Sequence, residues 1–293
     1  TTFSGIIGDT SGLTSFSASG NDVSVPSIGD ADTVGVSGVT SLIASNELTL
    51  SGDTYKTNAA TYSSGAGQKI KLTAGSDVTF NSNSQNVEFA TGDILLSDGS
   101  DLIVNAAAIT TQGIRGSSTE TVSLTGSGAV SLGAIGNAGE IGDVTISGSS
   151  IGSAGITTSG GNISMNSGSG SGNISLGGAI DTTGNSAATA GTVALTSATL
   201  GLTADSSIIT DAATTDQAIT LPASVTDGGT NPSLTLDSGS ANITLNAVGA
   251  SDNAIGSLTV SEGATVAFAG NVEASSVEVT KSTTITLSNG VSI

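Results

Sequence analysis

Val122-Ser123-Leu124-Thr125-Gly126-Ser127-Gly128-Ala129-Val130-Ser131-Leu132 holds two apolar–x–apolar units separated by a Gly/Ser turn. Alternation of this kind places two apolar side chains on one face of a strand and a hydroxyl on the other. The same unit recurs upstream at Leu48-Thr49-Leu50, Ile70-Lys71-Leu72, Val78-Thr79-Phe80 and Val87-Glu88-Phe89. Downstream it continues through Val144-Thr145-Ile146, Ile174-Ser175-Leu176, Val193-Ala194-Leu195, Leu258-Thr259-Val260 and Ile285-Thr286-Leu287 to Val291-Ser292-Ile293. A unit this short cannot bury a core by itself, so many must stack. That is the logic of an all-β solenoid, a parallel β-helix. Val122, Leu124, Val130, Leu132, Val144, Ile146, Ile174, Leu176, Val193 and Leu195 should point inward, and Ser123, Ser131, Thr145, Ser175 and Ala194 outward.

Short gaps between units read as successive sides of one coil, and the longer gaps (Val144 to Ile163, Ile174 to Val193) as a full coil. A coil of roughly 20 residues gives about 14 coils. Variable loops are expected over 105–120, 166–172, 181–191 and 210–217. Residues 1–45 are the least regular and read as a cap or as ragged first coils; 46–293 read as the coils proper. Tandem antiparallel β-sandwiches are the alternative fold, weakened by the absence of Trp and the brevity of the units. Gly, Ser, Thr and Asn leave little room for helix. Asp77, Asn86, Asp93, Asp143, Asn162, Asn173 and Asn242 each immediately precede a unit. Residues of this type tolerate left-handed backbone, so they are expected to form sharp corners.

The net charge of −19, from 24 acidic and 5 basic residues, excludes nucleic-acid binding and disfavours anionic membranes. There is no Cys and no His, which removes disulfides and thiolate chemistry. No apolar stretch is long enough for a transmembrane helix. Thr1 stands where an initiator Met would be, so the chain reads as a processed product or a piece of a longer protein. High Ser, Thr and Gly with little Lys point to an extracellular or cell-surface location.

Few residues could carry chemistry. A polysaccharide-cleaving β-helix needs a clustered base, yet the basic residues are Lys56, Lys69, Lys71, Arg115 and Lys281 alone. Lys69 and Lys71 should face solvent, and Arg115 should lie in an irregular loop. Tyr55 and Tyr62 are the only tyrosines for a sugar platform. No catalytic residue is assigned, and the chain reads as a non-enzyme. Asp93, Asp98 and Asp101 form the densest acidic group among the units and are the candidate Ca²⁺ ligands; Asp30 and Asp32 form a second pair. No other cofactor is expected. Asn162, Asn173 and Asn242 begin Asn-x-Ser/Thr sequons, a pattern that corners and alternation already demand. Val291 and Ile293 carry the alternation to the last residue. They are the candidates for head-to-tail self-association or continuation into a longer rod.

Gly172-Asn173-Ile174-Ser175-Leu176-Gly177-Gly178-Ala179-Ile180-Asp181-Thr182-Thr183-Gly184 resembles the repeats of filamentous-haemagglutinin-type proteins. So do Gly191-Thr192-Val193-Ala194-Leu195-Thr196-Ser197-Ala198 and Thr121-Val122-Ser123-Leu124-Thr125-Gly126. The resemblance covers most of 63–293 as a degenerate repeat. It implies a right-handed parallel β-helix in a large bacterial surface or secreted protein. The expected function is a structural rod, either a surface filament or the stalk of an adhesin. A calcium- or glycan-dependent adhesive module, with a host or matrix glycan as partner, is the first alternative. A polysaccharide-cleaving enzyme is the second.

Overall fold

A computed structural model describes residues 1–9, 11–30, 35–117, 119–137, 139–250 and 253–293, with the side chain of Ser169 outside the description. The chain is nearly all β, with parallel strands stacked as a β-solenoid of about ten turns. The strand pairings whose register is described are all parallel, which overturns the antiparallel sandwich alternative. The expected 14 coils fall to ten because one turn is longer than supposed. Side chains that reach the next turn do so across 19 to 30 residues. The chain forms two compact units, residues 1–141 with 146–148, and residues 142–145 with 149–293.

In the first unit three rows of strands make three sides. One row stacks Val23–Val25, Leu48–Leu50, Lys69–Leu72, Asp93–Leu96 and Ile114–Arg115. The second stacks Thr54–Lys56, Val78–Asn81, Leu102–Ala106 and Val122–Gly126. The third runs from Phe16–Gly20 through Thr40–Ala44, Ala60–Ser63, Val87–Thr91 and Ile109–Thr111 to Ala129–Leu132. Val122 and Val130 thus occupy different sides of one coil, as their short gap predicts. Residues 16–44 already contribute rungs, and the stretch before them is tied on by the bridges Thr2↔Ser24, Ile7↔Ile28 and Leu13↔Val36.

Period-two alternation places Val122, Leu124, Val130, Leu132, Val144, Ile146, Ile174 and Leu176 in the core. The intervening Ser131, Thr145 and Ala194 are exposed, and Ser123 and Ser175 half-buried. Stacked rungs put like on like. Tyr55 lies on Phe80 with ring centroids 4.8 Å apart, and Tyr62 on Phe89 at 5.3 Å. Both tyrosines are fully buried, so neither is a surface platform.

The second unit differs in having long strands that carry two units each. Ile163–Leu176, Ile255–Phe268 and Ala274–Leu287 are 14 residues apiece. They round a corner without leaving the ladder. The segment Asn166–Gly172, expected as a loop, is absorbed into the first of these through register shifts around Gly168, a bulge in effect. Val193 consequently stacks on Ile163, while Ile174 stacks on Leu200. Val193 and Leu195 are half-buried rather than buried. The next rung, Ser224–Asp227, meets the strand Val193–Leu202 over Thr199–Leu202 alone and does not pair with Val193 or Leu195.

Ala274–Leu287 pairs with Ile255–Phe268 along its length and, among the described residues, with no other named strand. Its Ile285 and Leu287 are 50% and 54% exposed. Val291–Ile293 do not extend it. The Val272 amide donates to the Ser292 carbonyl at 3.0 Å, and the Ser292 amide to Asn271 Oδ1 at 3.1 Å. Val291 and Ile293 therefore lie outside the strand Ala274–Leu287, with Ile293 57% exposed.

Candidate functional site

The outward side chains with chemistry to offer are Asp, Asn and a few cations, and the fold gives eight of the Asp and Asn residues one task. Asp93 Oδ1 accepts the Gly113 amide at 3.2 Å, and Asp101 Oδ1 that of Thr121 at 2.6 Å. Asp143 accepts Asn162 N–H at 2.7 Å, and Asn162 in turn accepts Thr192 N–H at 3.0 Å. Asp205 takes Ser233, Asp216 takes Ser240, Asn242 takes Thr265 and Asn271 takes Ser292. In each pair an Asp or Asn of one turn accepts a backbone N–H that the next turn brings over it. Most of these residues sit just ahead of a strand, where the ladder's own hydrogen bonds stop and amides would otherwise need water.

These Asx staples correct the expected corner role. None of the seven Asp and Asn residues noted ahead of units has positive φ; left-handed backbone falls on Asn83, Ser84, Asn185, Ser186, Asn231 and on glycines. Four of the seven are staples. Nothing in local sequence singles out Asp205, Asp216 and Asn271, because the amide each one takes lies 21 to 28 residues away. The sequons fit the same account. Asn162 and Asn242 spend their side-chain oxygens on staples, and Asn173 Nδ2 donates to Ser175 Oγ at 3.0 Å.

The three Ca²⁺ candidates are not brought together. Asp93 Oδ2 is held by Lys69 Nζ at 2.8 Å and an Arg115 guanidinium nitrogen at 2.6 Å. Burial opposes its ionisation, but the Lys69 hydrogen bond and the Arg115 and Lys69 charges outweigh that and hold its carboxyl below the ordinary range. Asp98 Oδ1 lies 2.8 Å from Ser117 Oγ, which is also 2.7 Å from Glu120 Oε1; one hydroxyl proton serves one of them at a time. Asp101 is a staple. Among the described residues no three carboxylates are grouped so as to hold a metal ion. Asp32 lies outside the described residues.

Arg115 is in a strand, Ile114–Arg115, not in a loop. Lys69 and Lys71 do face outward, but as partners: Lys71 pairs with Glu47 at 2.5 Å. Lys281 pairs with Glu262 on the adjacent rung. Half-exposed pairs of this kind add little stability individually, yet they occupy the cations a lyase would need. The second unit also carries like charges close together. Burial first, then the charges of Asp237, Asp216 and Glu262, push the Asp211 carboxyl above its ordinary value. Burial, with Glu262 and Asp216, does the same to Asp237 despite the Gly239 amide it accepts.

No helix of the described residues is long and apolar enough to cross a membrane. No protein-family model matches the chain, and no curated protein or solved structure matches it.

Proposed function

We propose that this chain is a non-catalytic structural element of a cell-surface or secreted assembly, a β-solenoid serving as filament subunit or adhesin stalk. One observation carries the reading: eight Asp and Asn side chains and four ion pairs tie one turn to the next. A surface organised this way supports length and stiffness rather than turnover. The acidic, Cys-free composition suits a long solvated surface outside the cell. Assembly proceeds through the edge of Ala274–Leu287, which offers unpaired backbone groups and the apolar Ile285 and Leu287. Either a second copy stacks there head to tail, or the next coil of a longer chain does.

Electron microscopy of the purified chain over a concentration series tests this. Rods that lengthen with concentration are expected, and Ile285→Lys with Leu287→Lys should shorten them while β-sheet circular dichroism persists. A monomer that never lengthens leaves only the longer-chain version. Compact particles that cleave a polysaccharide panel would overturn the structural reading.

A further inference from the structure

On one side of the first unit, Lys56, Asn81, Asn105 and Thr125 form an outward column in register over four rungs. Successive rungs are about 4.8 Å apart. The corners beyond Ala106 and Gly126 are short, but the corner after Asn81 carries a longer insert before Val87. That insert folds on itself: the Gln85 amide donates to the Ser82 carbonyl at 3.0 Å, and Ser82 Oγ donates back to the Gln85 carbonyl. Asn83 and Ser84 sit at φ 49° and 65°, two consecutive non-glycine residues in the left-handed region. Such backbone costs free energy and persists where the surroundings demand it.

The insert makes a ridge with a hollow on each side. One hollow, of about 330 Å³, is walled by Asn81, Asn83, Ser84 and Asn105 and floored by Ala106 and Gly126. The other, of about 170 Å³, shares Asn81 and Asn83 and is closed by Lys56 and Thr57. Among the described residues no carboxylate lines either hollow, although the chain carries 24 acidic residues. The contrast with the staples is direct. Eight outward Asn and Asp side chains elsewhere accept an amide of the next turn, and in the groove Asn83 Nδ2 donates to Asn58 Oδ1 at 3.5 Å. Here the side chains of Ser84, Asn105, Thr125 and Ser127, whose residues line the hollow, make no hydrogen bond to the described residues.

We infer that this groove binds a neutral, hydroxyl-rich chain, a segment of neutral oligosaccharide, laid along the Asn81–Asn105–Thr125 column. A carboxamide donates and accepts side by side, which matches adjacent sugar hydroxyls. Amide and hydroxyl groups repeated rung by rung suit a repeating polymer. An anionic polymer would meet the field of a chain at −19, and an apolar ligand would find no apolar wall. With no aromatic ring for stacking, affinity is modest, with Kd on the order of 1 mM. The inference holds equally for a stalk or a filament subunit.

NMR of side-chain amides decides it, with cellohexaose, maltohexaose and mannohexaose as neutral probes and hexagalacturonate as the anionic one. At least one neutral probe should shift the Asn81, Asn83 and Asn105 carboxamide signals saturably. Asn105→Ala should weaken that binding about tenfold or more with an unchanged unfolding midpoint. Asn83→Gly keeps the left-handed turn without the carboxamide, so it should weaken binding while leaving the unfolding midpoint nearly unchanged, relief of backbone strain offsetting the lost bond to Asn58 Oδ1. Silence with all three neutral probes, undiminished binding by Asn105→Ala, or stronger binding of hexagalacturonate would each overturn the inference.

Discussion

An Asp or Asn ahead of a strand can turn the backbone into the left-handed region or lend its side-chain oxygen to another turn. In this chain the second use dominates, and Asn162 shows why. Its Oδ1 lies 3.0 Å from Thr192 N and 2.8 Å from Thr192 Oγ1, and its Nδ2 donates to Asp143 Oδ1 at 3.2 Å. A left-handed corner would aim the side chain elsewhere and lose all three bonds. Asn162→Ala should therefore cost about 1 kcal/mol, water making good part of the loss at an exposed site. Asn162→Asp should cost more, since it sets a carboxylate against Asp143. Equilibrium urea unfolding followed by circular dichroism ranks the two, and equal midpoints for wild type and both variants would refute the staple. The position of such residues was legible in the sequence. Their task was not, because it depends on which amide the following turn lays over them.

Strands of this chain were legible wherever period two persists, and much of the first unit's core follows from that period, although Ile28, Val36, Ile135 and Ile141 are buried outside the named strands. What alternation could not reveal is where a strand bends rather than ends. Ile255–Phe268 holds two units in one uninterrupted rung, and a Ser/Gly stretch reads the same in a bent strand as in a turn. The half-exposure of Val193 and Leu195 has the same origin, since burial depends on the neighbouring rung as well as on the residue's own alternation. Within the first unit, energy is concentrated where aromatic rungs coincide. Phe80 lies against Tyr55, Tyr62 and Phe89, with ring centroids 4.8 to 5.2 Å apart. Phe80→Ala should cost about 3–5 kcal/mol, while Thr79→Ala on the opposite face should be nearly neutral. Tyrosine fluorescence isolates the effect, because both tyrosines lie in this unit and the chain has no Trp. Similar losses for both substitutions would sink the inward–outward assignment.

Across the whole molecule the charge of −19 repels itself, and Asp237 is where that is most testable. Its folded carboxyl is held above the ordinary value by burial and by Glu262 and Asp216. Its stabilising contribution is therefore complete below the unfolded value, about 3.9, and is lost as pH rises through the folded value. Asp237→Asn keeps an acceptor for the Gly239 amide and removes the charge. The unfolding midpoint should rise at pH 7, and the gain should vanish below about pH 4; a gain independent of pH would point to something other than charge. Of the candidate sites, the sequence located the acidic residues but not their separation, because outward neighbours along a strand can be pledged to different turns. The staples also share a direction: in all eight the side chain belongs to the earlier turn and the amide to the later one. During synthesis the N-terminal turns emerge first. Each new turn then meets a finished one whose acceptors already stand in place, so the molecule can be laid down on its own leading surface, in the order in which it is translated.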